Sequence, residues 1–321
     1  MGTLERMPIA YHHLARTSAN RWWRTVLGTL FIVVAGSALA IVFYGLATVA
    51  AAIAGRPDGT DGFPSLGAHA ELAMTFLSIA AFLPVILLAA RWIQRRPPGT
   101  LSSVDGHLRW PWLVICLGLA AGAITVLLGV STLLPGGDDP GSRLAGWESF
   151  LLSTALLAHV VPLQAATEEY FTRGWLLQAV GAYCERPWLP IAFQAAVFAA
   201  LHGWGTPWGF ADLLVFGSVA GWLTVRTGGL EASIALHVVN NLLGSLLSAA
   251  YGDLSVDETA ADLPWQLALV DMGVLIAYAW LVVTMFDRRQ DRTGNRSVDA
   301  RPVDASMKSI GGAMRASTSA E

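Results

Sequence analysis

Charged side chains are scarce in this chain, and their scarcity excludes a water-soluble globule of this size. Asp, Glu, Lys and Arg make up 13% of the 321 residues, whereas a soluble domain carries roughly 25%. Hydrophobic residues account for 54%, so lipid has to cover much of the surface. Basic residues form no dense block, and we therefore expect no nucleic-acid partner.

Cysteine, lysine and the common protease signatures are also rare or missing. Cys116 and Cys184 are too few for a disulfide framework. Lys308 is the one lysine, and this arginine bias favours a bacterial source. The chain lacks the H-E-x-x-H zinc helix and the G-x-S-x-G nucleophile elbow. We also find no pair of intramembrane aspartates, because Asp212 and Asp271 fall near the ends of apolar runs.

Long apolar runs are what the chain has in abundance. A membrane helix needs about 20 mostly apolar residues, since backbone polar groups must be paired internally in lipid. The candidate runs are 26–54, 71–93, 111–134, 147–180, 188–204, 208–226, 230–250 and 265–286. We therefore predict an all-α fold, a polytopic membrane bundle of about eight transmembrane helices.

The loops between these runs alternate in charge. Arginines precede the first run, lie between the second and third, and follow the last, whereas acidic residues dominate the intervening loops. By the positive-inside rule we predict a multi-pass cell-membrane protein with both termini in the cytoplasm. Its predicted parts are a cytoplasmic or interfacial segment at 1–25, a membrane domain at 26–286 and a disordered cytoplasmic tail at 287–321.

Two small-residue motifs indicate where helices approach one another closely. They are Gly118-x-x-x-Gly122 and Gly217-x-x-x-Gly221. Such motifs permit backbone contact between membrane helices. In a glycine-rich membrane protein they favour internal packing over a dimer interface, and we leave the oligomeric state open.

An acidic and basic cluster in the fourth run is the first sign of function. Each ionisable side chain within a membrane costs roughly 2.5–3.5 kcal/mol on insertion scales. Glu169 and Arg173 are four residues apart in the favourable acid-first order, so they can neutralise one another. Glu168 has no cationic partner in its own segment, and we expect it to point into the bundle. For this cluster alone, a solvated ion pair at a helix end is the alternative.

Two later runs add further polar groups. Phe198 and His202 share one helical face, and His237 and Asn241 share another. For either histidine taken alone, the alternative is a packing residue without a function. Burying all these groups without a function, however, would be costly.

Two hydrolytic mechanisms fit this set of residues. A carboxylate such as Glu168 can take a proton from water, while Asn241 and a histidine donate to the oxyanion that forms on the scissile carbonyl. Alternatively, Glu168, His202 and His237 could hold a catalytic zinc with water in the open position. The residues leave both open, with a slight preference for the metal-independent route because Asn241 suits an oxyanion donor better than a ligand.

The three segments resemble the CPBP family (CAAX prenyl endopeptidase type II and bacteriocin-processing, also called ABI) of intramembrane metalloproteases. Its motifs E-E-x-x-x-R, F-x-x-x-H and H-x-x-x-N all occur in order between about 147 and 248. They are Glu168-Glu169-x-x-x-Arg173, Phe198-x-x-x-His202 and His237-x-x-x-Asn241. The resemblance implies an endopeptidase acting on a membrane-associated protein or peptide, with Zn²⁺ as a possible cofactor.

The same resemblance implies a role for each motif residue. Glu168 would activate water, His202 and His237 would assist or bind metal, and Asn241 would stabilise the oxyanion. Glu169, Arg173 and Phe198 would support the site. A catalytically inactive scaffold or immunity-type binding protein on the same fold is the alternative. A proton-coupled transporter fits less well, because its halves are usually similar and the polar clusters here occupy only the second half.

This interpretation requires Glu168 and His202 to lie at similar depths in the membrane. Glu168 lies near the cytoplasmic end of its run, whereas His202 lies near the far end of the next. The two can meet only if the fourth helix is bent or strongly tilted, for which Pro162 offers a position.

Overall fold

Helices form nearly all the regular structure in the computed structural model of the chain, which describes residues 9–59, 62–133, 144–254 and 260–292. Within these ranges the only β pairings are two isolated bridges, Asp58–Pro64 and Ser103–Gly229. The α-helices are α1 Trp22–Ile53, α2 Ala68–Ala80, α3 Phe82–Leu88, α4 Trp110–Ser131, α5 Trp147–Glu169, α6 Leu177–Gly181, α7 Trp188–Leu201, α8 Pro207–Thr227, α9 Glu231–Ala250 and α10 Trp265–Arg292. The predicted all-α fold is confirmed.

Seven helical stretches of the described residues are long and apolar enough to cross a membrane. They are Trp22–Ile53, Ala68–Ile93, Trp110–Ser131, Trp147–Gly181, Pro207–Thr227, Glu231–Ala250 and Trp265–Asp291. The remaining predicted span is α7, whose 14 residues extend about 21 Å, less than the roughly 30 Å of a bilayer core. The polytopic membrane bundle is confirmed, and the eighth predicted span is this short helix.

The boundaries of the first and last helices differ from the prediction. Helix α1 begins at Trp22 instead of residue 26, and α10 continues to Arg292, so 287–292 is helical and not disordered. Adding a residue to an existing helix costs little, because each new residue gains a backbone hydrogen bond. The rest of the predicted tail, 293–321, lies outside the described residues. Cytoplasmic termini stay a prediction.

The chain divides into two compact units. The larger unit, Ile9–Val283, contains the helices and side chains discussed below. The other comprises Met1–Pro8 and Thr284–Glu321, of which 284–292, the end of α10, is described.

Helices α5 and α9 pack against each other within the larger unit, with α2 beside α5 and α4 beside α9. Leu72, Leu157, Val161 and Ala249 form a buried apolar cluster where α2, α5 and α9 meet. This packing brings the acidic end of α5 next to the polar face of α9.

Local signals in the sequence delimit α8, which packs against α7. The Thr206 hydroxyl accepts a hydrogen bond from the backbone N–H of Gly209 at 2.9 Å, as an N-cap does. Pro207 occupies the first turn, where its missing N–H is no loss. At the other end Gly228 has φ +72°, the left-handed conformation that commonly ends helices at glycine.

One of the two small-residue motifs forms a close helix contact. A Cβ on Gly217 would lie 2.8 Å from the Cα of Ala195, and one on Gly221 would lie 2.5 Å from the Nε2 of Gln194. Internal packing is therefore confirmed for the motif in α8. For the motif in α4 it stays a prediction, because a Cβ on Gly118 or Gly122 would meet no atom of the described residues within 4 Å.

Candidate active site

A fully buried ion pair lies where α5 ends and α9 passes. Arg173 donates from Nη1 to Glu169 Oε1 at 2.7 Å, and both side chains are 0% exposed. The guanidinium also lies over the Phe198 ring, 4.3 Å from its centroid, in a cation–π geometry. Glu169, Arg173 and Phe198 thus contact one another, as supporting residues would.

His237 links this ion pair to Glu168. Its Nδ1 lies 2.8 Å from Glu169 Oε1, and because a carboxylate in an ion pair only accepts, Nδ1 carries the hydrogen. Its Nε2 lies 3.5 Å from Glu168 Oε2. One imidazole therefore stands between the two glutamates, with a different nitrogen toward each.

Glu168 has a neutral partner that the motifs do not include. Gln164, one turn earlier on α5, donates from Nε2 to Glu168 Oε1 at 2.6 Å. Asn241 on α9 in turn donates from Nδ2 to Gln164 Oε1 at 3.2 Å. Sequence reasoning missed Gln164, although its four-residue spacing from Glu168 was a signal.

The second oxygen of Glu168 is left without a hydrogen bond. Oε2 is buried and accepts none from the described residues. The side chain as a whole is 20% exposed and lines a cavity of about 920 Å³. Gln164, His202 and Asn241 line the same cavity, and α1 and α2 contribute apolar side chains such as Ile32 and Phe76.

His202 lies at the turn after α7. Its Nδ1 is 2.9 Å from the carbonyl oxygen of Phe198, and because a carbonyl only accepts, Nδ1 carries a hydrogen. Gly203 and Gly205 follow with φ +88° and +40°, values that glycine adopts without the strain of a side chain. The turn thus ends α7 beside the cavity.

The helix that carries Glu168 has two features that permit a bend, as the sequence interpretation required. Helix α5 contains Pro162 and runs into a π-helical turn at Tyr170–Leu176 directly after Glu169. Both are features at which helices commonly bend, and π-helical turns often occur at functional sites. Glu168 and His202 line one cavity, whereas the membrane depth of Glu168 stays a prediction.

The described side chains do not fit the zinc site considered from the sequence. No group of three or more His, Cys, Asp or Glu among them could hold a metal ion. The imidazole nitrogen of His237 that faces Glu168, Nε2, is 3.5 Å from Oε2. We therefore derive no step through zinc, and zinc dependence stays an untested prediction.

A pair of buried aspartates corrects the sequence interpretation that no such pair exists. Asp212 on α8 and Asp271 on α10 are 3% and 7% exposed and hydrogen-bond to each other. They line a second cavity, of about 280 Å³, with His202 and His237. Position near the ends of two runs did not reveal the pair, because the second turns of α8 and α10 meet only in the tertiary structure.

Residues 147–243 match a protein-family model described as type II CAAX prenyl endopeptidase, Rce1-like. This segment contains all three motifs and the side chains that meet around Glu168. This segment therefore resembles the Rce1-like family. The family resemblance inferred from the motifs is thereby confirmed.

Two curated proteins are similar to this chain. One is the uncharacterized protein YyaK of Bacillus subtilis (strain 168), 31% identical over 169 residues, which are 50% of this chain and 55% of YyaK. The other is an uncharacterized 24.3 kDa protein of Escherichia coli, 28% identical over 169 residues, or 51% of this chain and 74% of that protein. The match thus spans about half the length of YyaK. No solved structure matches the chain significantly.

Proposed function

We propose that this Rce1-like membrane protein is an intramembrane endopeptidase that hydrolyses a peptide bond of a membrane-associated protein or peptide. One observation carries the proposal. Glu168 has one oxygen held by Gln164 and the other unbonded, and it lines a large, mostly apolar cavity with His202 and Asn241. A buried polar atom without a partner is costly, so a ligand with a hydrogen to donate fits at Oε2.

Water is the ligand that this arrangement suits. A water molecule at Glu168 Oε2 can donate a hydrogen to that oxygen and direct a lone pair toward a carbonyl carbon. As the carbon–oxygen bond forms, Oε2 takes the proton. When the carbon–nitrogen bond breaks, Glu168 returns the proton to the leaving amine and becomes a carboxylate again.

Asn241 is the best-placed donor for the oxyanion. One of its two amide hydrogens is used by Gln164, which leaves the second for the carbonyl oxygen of a substrate in the cavity. Nε2 is an acceptor in the neutral form of His202 or His237 and a donor in the protonated form, so the histidines suit proton transfer. Glu169 and Arg173 hold His237 in this orientation.

The decisive variant is Glu168→Gln, which keeps the size of the side chain and removes the base. Wild type and variant are reconstituted in lipid nanodiscs with mixtures of internally quenched peptides, unmodified and farnesylated, and fluorescence release is followed. We expect the cleavage rate to fall roughly 10²- to 10⁴-fold, the usual contribution of a general base. Glu148→Gln, an exposed glutamate in the first turn of α5, is the matched control and should cleave like wild type.

The same pair of variants can identify the substrate in cells. Membranes from cells carrying the Glu168→Gln variant should accumulate a precursor that the wild type shortens, and proteomics of the two membranes would name it. Full cleavage by Glu168→Gln would refute the mechanism. A partner retained by both proteins, with no cleavage by either, would favour the inactive binding protein instead.

A further inference from the structure

Gln164 is the buried polar residue of the site to which no motif assigns a role. It lies inside α5 and is 4% exposed. Its amide contacts Glu168 on its own helix and Asn241 on α9. It is thus the only side chain of the described residues that hydrogen-bonds to both the proposed base and the proposed oxyanion donor.

The chemistry of the two contacts fixes which way the amide of Gln164 points. An ionised Glu168 can only accept hydrogen bonds, so Gln164 must turn its NH₂ group toward it. Its carbonyl oxygen then faces Asn241, which must present its own NH₂ group in return. The ionised form of Glu168 therefore orients both amides.

This orientation determines which oxygen of Glu168 is available. At 2.6 Å, Gln164 holds Oε1 with a short hydrogen bond to a charged group. Oε2 is the oxygen that remains unbonded, on the side of His237. Without Gln164 the carboxylate could rotate about its last bond, since such terminal torsions are broad.

We propose that Gln164 is a positioning residue that selects Oε2 of Glu168 as the base and aligns Asn241 with it. The inference rests on the proposed endopeptidase function. In this role Gln164 does not contact the substrate. Gln164 acts by holding Oε1 of Glu168 and one amide hydrogen of Asn241, so that Oε2 of Glu168 and the second amide hydrogen of Asn241 both serve the reaction.

Gln164→Met keeps nearly the same length and removes both hydrogen bonds. We expect kcat to fall roughly 10- to 100-fold, as expected for loss of a hydrogen bond to a charged group, while KM changes less than about threefold, because Gln164 acts on the base rather than on binding. The probe is the quenched peptide that wild type cleaves fastest in nanodiscs.

The matched control is Gln194→Met, which removes another buried glutamine. Gln194 donates to the carbonyl oxygens of Ile191 and Gly217, within the contact of α7 with α8. A general loss of packing would lower kcat in both variants. Gln164 as a positioning residue requires that kcat fall in Gln164→Met alone.

A second variant gives a signature that a purely structural role would not produce. In Gln164→Glu the introduced carboxyl can donate to Glu168 only when protonated. The ratio of its kcat to that of Gln164→Met should therefore rise as the pH is lowered. If Gln164→Met does not fold, the ratio of the kcat of Gln164→Glu to the kcat of wild type provides the same test. A ratio that does not change with pH overturns the inference.

An infrared measurement separates this inference from the proposed function. The carboxylate band of Glu168 is the one that Glu168→Gln removes, and it should shift in Gln164→Met but not in Gln194→Met. An unshifted band overturns the positioning role whatever the activity. A shifted band with unchanged kcat also overturns it, provided that Glu168→Gln is inactive. If Glu168→Gln cleaves normally, the proposed function itself fails.

Discussion

The buried pair of Glu169 and Arg173 allows a quantitative test of how the site is held together. Its charge centres lie about 4 Å apart, and at an effective dielectric constant of about 20 their attraction is about 4 kcal/mol. Both side chains are 0% exposed, so each ion also lost several kcal/mol of hydration when it was buried. The pair as a whole therefore adds little net stability, whereas either half alone is costly.

Arg173→Met should accordingly destabilise the protein by about 3–5 kcal/mol, because Glu169 is left buried without its arginine. The loss of the contact with the Phe198 ring adds to this. Adding Glu169→Gln to Arg173→Met should restore about 2–3 kcal/mol, since the uncompensated charge is gone.

Unfolding by increasing SDS in mixed micelles measures these free energies in a double-mutant cycle. The exposed pair of Arg16 and Glu185, 2.9 Å apart with side chains 31% and 83% exposed, is the control cycle, and its coupling should stay at about 0–1 kcal/mol. The reasoning is refuted if Arg173→Met costs less than about 1 kcal/mol, or if the double variant is as unstable as the sum of the two single ones.

Two other regions give further predictions. Burial lowers the pKa of His12 from 6.5, and the neighbouring His13 lowers it further. The folded segment therefore binds fewer protons than the unfolded one. Its stability is intact above about pH 6.5 and is lost as the pH falls toward the lower pKa of the folded state. Hydrogen-exchange protection of residues 11–16 should decrease in acid, and less so in His12→Gln; equal protection at pH 5 and 7.5 would contradict this. In the bundle, Gly217→Leu should cost about 1–3 kcal/mol or more through overpacking, whereas Gly118→Leu, with no described neighbour within 4 Å, should unfold like wild type.

Much of the fold could be predicted because it depends on local properties. A run of about 20 apolar residues must become a helix in lipid wherever it lies in the chain, so composition alone was enough for α1, α4 and α10. The short α7 was harder, because its 14 residues are as compatible with a partial crossing as with a full one. The end of α10 was misplaced since polarity does not stop a helix that is already formed.

The site was predictable to the extent that its parts lie within one helix. The spacing of Glu169 and Arg173 predicts their ion pair, and the separations of Phe198 from His202 and of His237 from Asn241 place each pair on one face. Spacing along the sequence does not indicate which side chains on different helices lie close together. Asp212 and Asp271 are 59 positions apart in the sequence, and nothing local indicates that their side chains meet.

The two glutamates show which features of the site the sequence determines and which depend on the tertiary structure. The sequence settled that adjacent acids lie inside an apolar helix and that one of them has an arginine one turn away, because those facts depend on local composition and a period of 3.6 residues. Only the tertiary structure decided that His237 stands between them, that Gln164 holds Glu168, and that one oxygen of Glu168 lies unbonded beside a cavity. Those facts depend on how α5 and α9 pack, which no single segment determines.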